Sequence, residues 1–199
     1  MLDLNETVHD PKSDDAIHDL SQANVHSVDP SRVLEWGSLF GKWVFTRTTA
    51  DTGGAYLEAH VLAPAGGGPP LHVHYHAEES YQVLSGTLEV RLGKEWQLVS
   101  SGQTLTVPRG TPHTLRNSAP VELINVHRPA LDIEHMFRTL HCLVTQYRVG
   151  LPPKDFRSAV LVGMLFTHYE RENTIVQPSV AVMRGLALVG RLLRFKLPQ

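Results

Sequence analysis

Between residues 34 and 129 the chain is a succession of short apolar runs broken by Gly, Pro and Asn, with no helix-length periodic segment among them. That punctuation constrains the fold more than any other feature, because runs of about four to eight residues closed by turn residues read as strands. Residues 40–49 and 56–62 form the first pair, separated by the turn signal Asp51-Thr52-Gly53-Gly54. Residues 79–84, 87–92, 97–99, 104–107, 114–117 and 122–127 follow. Many short strands with turns between them imply a β-sandwich or barrel.

After Pro129 the pattern turns helical. Residues 131–147 carry apolar side chains at helical intervals and then meet Gly150 and Pro152-Pro153. Asp155 is placed to cap a second helix over residues 156–171, and Pro178-Ser179 opens a third that runs to about residue 196. The third is apolar but carries Arg184, Arg191, Arg194 and Lys196, too interrupted for a membrane span of about 20 apolar residues. Its amphipathicity favours packing on the β-domain or a second subunit over contact with an anionic membrane. At the other end, residues 1–33 read as an acidic, flexible arm, with seven acidic side chains against Lys12 in the first thirty positions. The expected organisation is therefore an arm (1–33), a β-domain (34–129) and an α-helical C-terminal extension (130–199).

Composition narrows the function classes. A net charge of −2 lacks the basic surplus of a nucleic-acid binder. Cys142 is alone, which removes disulfide frameworks and cysteine-based zinc sites. The acidic start has no secretory pattern, so a cytoplasmic protein is expected. Twelve histidines remain to be explained.

His72 and His74 are two apart, so on a strand both imidazoles leave the same face, as a pair of ligands to one metal requires. A carboxylate from Glu78 or Glu79 follows. Counting by two from Glu79 meets Tyr81 and Val83, whereas counting from Glu78 meets Ser80 and Gln82, so the inward set contains Glu79. Further on, the turn Pro108-Arg109-Gly110 precedes His113, which a fixed turn can aim at the first two histidines.

These residues resemble the two motifs of the cupin superfamily. Gly66, His72, His74, Glu79 and Gly86 fill the first motif, and Gly102, Pro108, Gly110, His113 and Asn117 fill the second. The stretch 87–101 between them has the short spacing of microbial cupins. The resemblance covers roughly residues 40–129. It implies a mainly β fold, a cupin-type (jelly-roll) β-barrel, holding one divalent metal ion on His72, His74, Glu79 and His113. Three imidazoles and a carboxylate suit Fe, Mn, Ni, Cu or Zn alike. Similarity to quercetinase-like cupins implies that Glu79 serves both as ligand and as catalytic base. Tyr81, His60 and His127 are further pocket candidates, although for His60 and its neighbour Glu58 the apolar alternation of Leu57, Ala59 and Val61 favours an outward orientation. His76 falls in the bend and is expected in solvent.

A fold does not choose a reaction. The expected function is a metal-dependent oxidoreductase, non-haem dioxygenase-like, acting on a small organic molecule. The alternatives are a non-catalytic small-molecule binding or sensing module, and a metal-dependent isomerase or lyase. A homodimer is expected, as in similar cupins, with the C-terminal helices offering the surface.

Overall fold

The computed structural model describes residues 29–198. The acidic arm expected over 1–33 thus lies outside the described residues up to position 28, and its last residue, Val33, opens the first strand.

Among the described residues twelve strands form two six-stranded sheets. The first sheet contains β1 (Val33–Gly37), β2 (Gly41–Arg47), β3 (Leu57–Ala63), β11 (Val121–Arg128), β6 (Glu78–Ser85) and β9 (Thr104–Val107), in that order. The second runs β12 (Thr174–Ile175), β5 (His72–Val73), β10 (His113–Asn117), β7 (Thr87–Leu92) and β8 (Glu95–Ser100), with β4 (Gly66–Gly67) also paired to β10. The strand pairs are antiparallel throughout. The cupin-type arrangement is therefore present, but the expected barrel is not closed. Edge strands β1 and β9 belong to one sheet and β12 and β8 to the other, and the sheets join through side chains rather than a continuous hydrogen-bond ladder.

Period-two alternation decides what faces inward. In β3, Leu57, Ala59 and Val61 are buried, while Glu58 and His60 are only half-buried. Along β6 the buried set is Glu79, Tyr81 and Val83, and along β11 it is Val121, Leu123, Asn125 and His127. Each of these two strands is thus apolar at one end and polar at the other on the same inner face. That polar end is where the site forms.

The helices are α1 (Ile133–Thr145), α2 (Phe156–His168) and α3 (Val180–Leu192). On α1, Ile133, Met136, Leu140 and Leu143 make one buried stripe at helical spacing. Asp155 caps α2 by accepting from the Ser158 amide at 2.8 Å, as its position in the sequence suggested. Leu161, Val162 and Leu165 of α2 and the α1 stripe join one apolar core with Phe45, Val83, Val90 and Val107 of the sheets. The first two helices are therefore part of the β-domain's core. By contrast, α3 packs on α2, its Leu186 beside Gly163 and its Gly190 beside Met164, and leaves Val182, Leu188 and Leu192 exposed. Among the described residues no helix is long and apolar enough to cross a membrane.

Candidate metal centre

Cross-strand pairing brings the donors together. In the second sheet His72 pairs with His113, so their imidazoles leave the same face. The β9–β10 connection makes this possible: Gly110, at φ +76°, turns the chain and donates its amide to the His74 carbonyl at 2.9 Å. His74 follows β5 directly. From the first sheet comes Glu79, directly opposite His127 of β11 and Val107 of β9.

The result is one buried cluster: the donor atoms of His72, His74, Glu79 and His113 lie within 4.8 Å of one another. All four residues are at most 5% exposed. Glu79 Oε2 is the meeting point, 2.8 Å from His113 Nε2, 3.1 Å from His74 Nε2 and 3.9 Å from His72 Nε2. The inward choice of Glu79 over Glu78 agrees with the burial, Glu78 being only half-buried.

The opposite side of each ring explains its orientation. His72 Nδ1 faces the Pro70 carbonyl at 2.9 Å, His113 Nδ1 faces the Thr111 carbonyl at 2.9 Å, and His74 Nδ1 faces the carbonyl of Glu172. A carbonyl oxygen only accepts, so each Nδ1 carries a proton and each Nε2 is turned to the common centre, where a metal would take its lone pair. His74 Nε2 is buried with no hydrogen-bond partner. This donor set fits a divalent metal: three imidazole nitrogens locked in the ligating tautomer, one carboxylate, and outer partners that hold them there.

The carboxylate is held from behind as well. Asn125 Nδ2 donates to Glu79 Oε1 at 2.8 Å, and His127 Nε2 lies 3.2 Å from the same oxygen. Burial works against ionising Glu79, yet His127, His113 and His74 together hold its pKa well below the usual carboxylate range. The same charges sort the histidines. Burial and the neighbouring rings of His113 and His74 push His72 well down. His74 is also disfavoured by burial, but the Glu79 carboxylate outweighs that and raises it. Burial keeps His127 below its ordinary value in spite of Glu79. Burial pushes the Tyr81 phenol well up, with Glu79 adding to the effect.

The cluster opens on a cavity of about 120 Å³, far beyond the ~10–15 Å³ that holds one water. Its walls are chiefly apolar and include Trp36, Phe40 and Trp43 from β1 and β2 with their connection, Met136 and Phe137 from α1, and Phe166 from α2. Tyr81 and His127 line it. His60 does not: it projects from the other face of β3, where Nε2 meets Glu122 Oε1 at 2.7 Å, and Glu58 on that face accepts from Thr46 at 2.6 Å. His76 is exposed. Sequence reasoning missed Glu172 and Asn173, both 6% exposed, which reach the site from the segment after α2. The strand β12 that follows them pairs Thr174 with Val73 and Ile175 with His72. Two residues beside a helix end carry no periodic signal, and a backbone carbonyl's role has no side-chain signature.

The comparisons with known proteins agree with this geometry. Residues 59–127 match the family model for the cupin domain. Quercetin 2,3-dioxygenase of Bacillus subtilis is 41% identical over 85 residues, covering 39% of this chain and 24% of that protein. Mannose-1-phosphate guanylyltransferase 2 of Escherichia coli O157:H7 is 35% identical over 78 residues, 38% of this chain and 16% of that protein. The chain thus spans only about a sixth to a quarter of the length of these relatives. Among solved structures, KdgF from Halomonas sp. superposes with a TM-score of 0.41 at 20% identity, over 54% of this chain and 89% of that one. With both motifs in place and the family match spanning the strands that carry them, residues 59–127 form a cupin domain.

Proposed function

We propose that the protein is a metal-dependent oxidoreductase, dioxygenase-like, that acts on a small organic molecule bound in the apolar cavity. The observation that carries this reading is the cluster of three tautomer-locked imidazoles and one carboxylate at the wall of that cavity. The partial similarity to a quercetin 2,3-dioxygenase supports the reaction type.

His72, His74, His113 and Glu79 Oε2 would hold the metal. When bound, it supplies a Lewis-acidic, redox-active centre at which an oxygen-bearing substrate and dioxygen meet. The chain's own contribution is positional and electrostatic. Asn125 and His127 fix Glu79 through Oε1, so Oε2 stays directed at the histidines. Turned to His74 and His113, Oε2 is placed for the ligating part of the double role expected of Glu79. The aromatic and aliphatic walls exclude water and receive the apolar body of the substrate.

One observation favours a second reading. His127 lines the cavity and leaves Nδ1 without a partner, and burial lowers its pKa, as suits an acid–base group in an isomerase or lyase. Oxygen uptake by Fe(II)-, Mn(II)-, Ni(II)- and Cu(II)-loaded protein across phenolic and diketone substrates separates the two. Uptake with at least one pairing is the expected result. Turnover with Zn(II) in the absence of oxygen, and no uptake with any other metal, would replace the first reading by the second. The expected homodimer is part of the proposal, supported by the exposed apolar residues of α3. Light scattering on the full chain tests it.

A further inference from the structure

The cavity wall contains a polar group that the cluster does not use. Asn173 lines the cavity, is 6% exposed, and its Oδ1 has no hydrogen-bond partner. An unpaired buried amide is costly, and native structures rarely keep one without a use for it.

Its place in the fold puts it beside the donors. In the β12–β5 ladder Thr174 is opposite Val73 and Ile175 is opposite His72. Continuing that register by one residue beyond the ladder sets Asn173 against His74, and opposite residues of antiparallel strands share a face. The preceding residue confirms the approach, since the Glu172 carbonyl faces His74 Nδ1. The Asn173 amide N–H is bound to the Tyr169 carbonyl at 2.9 Å, so its backbone is anchored at the end of α2. A carboxamide on an anchored backbone therefore lines the same cavity as His72, His74 and Glu79, in a wall that is otherwise chiefly apolar.

We propose that Asn173 is a specificity-determining residue, whose carboxamide hydrogen-bonds the second oxygen of a small, two-oxygen chelating ligand seated on the His72–His74–Glu79–His113 cluster. This rests on the function proposed above. Four protein donors leave two positions on a six-coordinate metal, enough for two adjacent oxygens of one ligand. A carboxamide both donates and accepts, so it matches a hydroxyl or enol oxygen, and the apolar walls match a ring or short hydrocarbon body.

The test is a cycle between side chain and ligand. Wild type, Asn173→Ala and the volume-conserving Asn173→Leu are loaded with Mn(II) or Ni(II) and titrated without oxygen. The ligands are 4-nitrocatechol, which has two adjacent oxygens, and 4-nitrophenol, which has one. Binding is read from the visible spectrum, and metal affinity from chelator competition. Both variants are expected to bind metal within about twofold of wild type and 4-nitrophenol within about twofold, but 4-nitrocatechol about tenfold more weakly. Wild-type protein that takes up neither metal nor 4-nitrocatechol would remove the proposed function and this assignment with it. Wild type that binds both, with variants that hold 4-nitrocatechol equally tightly or lose both phenols alike, would overturn the assignment of Asn173 alone.

Discussion

Replacing Asn125 by alanine tests whether the support behind Glu79 matters to the metal. Besides a longer bond of 3.4 Å to the Ser80 carbonyl, the buried side chain donates to the buried Glu79 carboxylate at 2.8 Å. Bonds of that kind contribute ~1.5–3 kcal/mol. At ~1.4 kcal/mol per factor of ten, the whole of it would change metal affinity by about 10- to 100-fold. The same range is typical when an outer partner of a metal ligand is removed. Part of the bond already exists before metal binds, and His127 Nε2 still faces Oε1 at 3.2 Å after the truncation. The expected loss is therefore near the lower end, about tenfold. Competition with a chromophoric chelator at neutral pH measures it, and a thermal melt of metal-free protein shows whether the fold is intact. His60→Ala provides the baseline, because it removes an imidazole that faces Glu122 on the other side of β3. An Asn125→Ala affinity within twofold of that baseline, with the melt unchanged, would refute the view that Glu79 is held in place through Oε1.

Three further outcomes are expected. Gly41→Ala should destabilise the protein by at least ~1–3 kcal/mol, since Gly41 sits at φ +74° and a Cβ there would be 1.9 Å from the Leu62 carbonyl oxygen. A urea midpoint shift equivalent to less than ~0.5 kcal/mol would contradict this. Glu134 accepts from the Thr49 amide at 2.8 Å and from Arg138 at 2.8 Å and 3.0 Å, and although burial opposes it these bonds lower its pKa. Its stabilisation is thus fully present above the unfolded value of ~4.3 and is lost as pH falls through the folded value. Urea midpoints should show Glu134→Gln less stable than wild type near neutrality, with the gap narrowing as the pH falls below ~4.3, and a gap that widens on acidification would reverse the sign. Stripping metal from loaded protein should lower the melting temperature, by an amount equivalent to ~2.7 kcal/mol at free metal about 100-fold above Kd. Coincident melts would show that no metal binds the folded state.

The donors were legible because they obey two local rules. His-x-His on a strand and the period-two continuation through Glu79, Tyr81 and Val83 are both properties of a few neighbouring residues, and the burial of β6 follows them. The alternation of Leu57, Ala59 and Val61 likewise placed His60 outward. The failures lie where the answer is set by distant parts of the chain. Residues 131–147 read as a helix, which shortens to Ile133–Thr145 because Leu131 takes φ 48° and Gln146 already ends the last turn. Nothing in that helical pattern says that Met136 and Phe137 would wall a cavity beside a histidine cluster. Barrel closure depends on whether the edge strands meet, which the residues within each strand do not encode. The Glu172 carbonyl is invisible in a sequence because every residue has one.

The contact between His74 and Glu172 joins positions 98 apart in the chain, and it gives the site a schedule. Both histidine motifs leave the ribosome well before Glu172 does. At about 5–20 residues per second the interval between His74 and Glu172 is roughly 5–20 s. Throughout that time no carbonyl from the C-terminal segment holds His74 Nδ1, and β5 lacks its β12 neighbour. A nascent chain therefore presents a His74 ring that is free to turn, whereas His72 and His113 meet the Pro70 and Thr111 carbonyls only two residues away. The final geometry arises only when α2 docks and carries β12 onto β5. The complete surroundings of His74 are in this way deferred until Glu172 and the strand after it have been made.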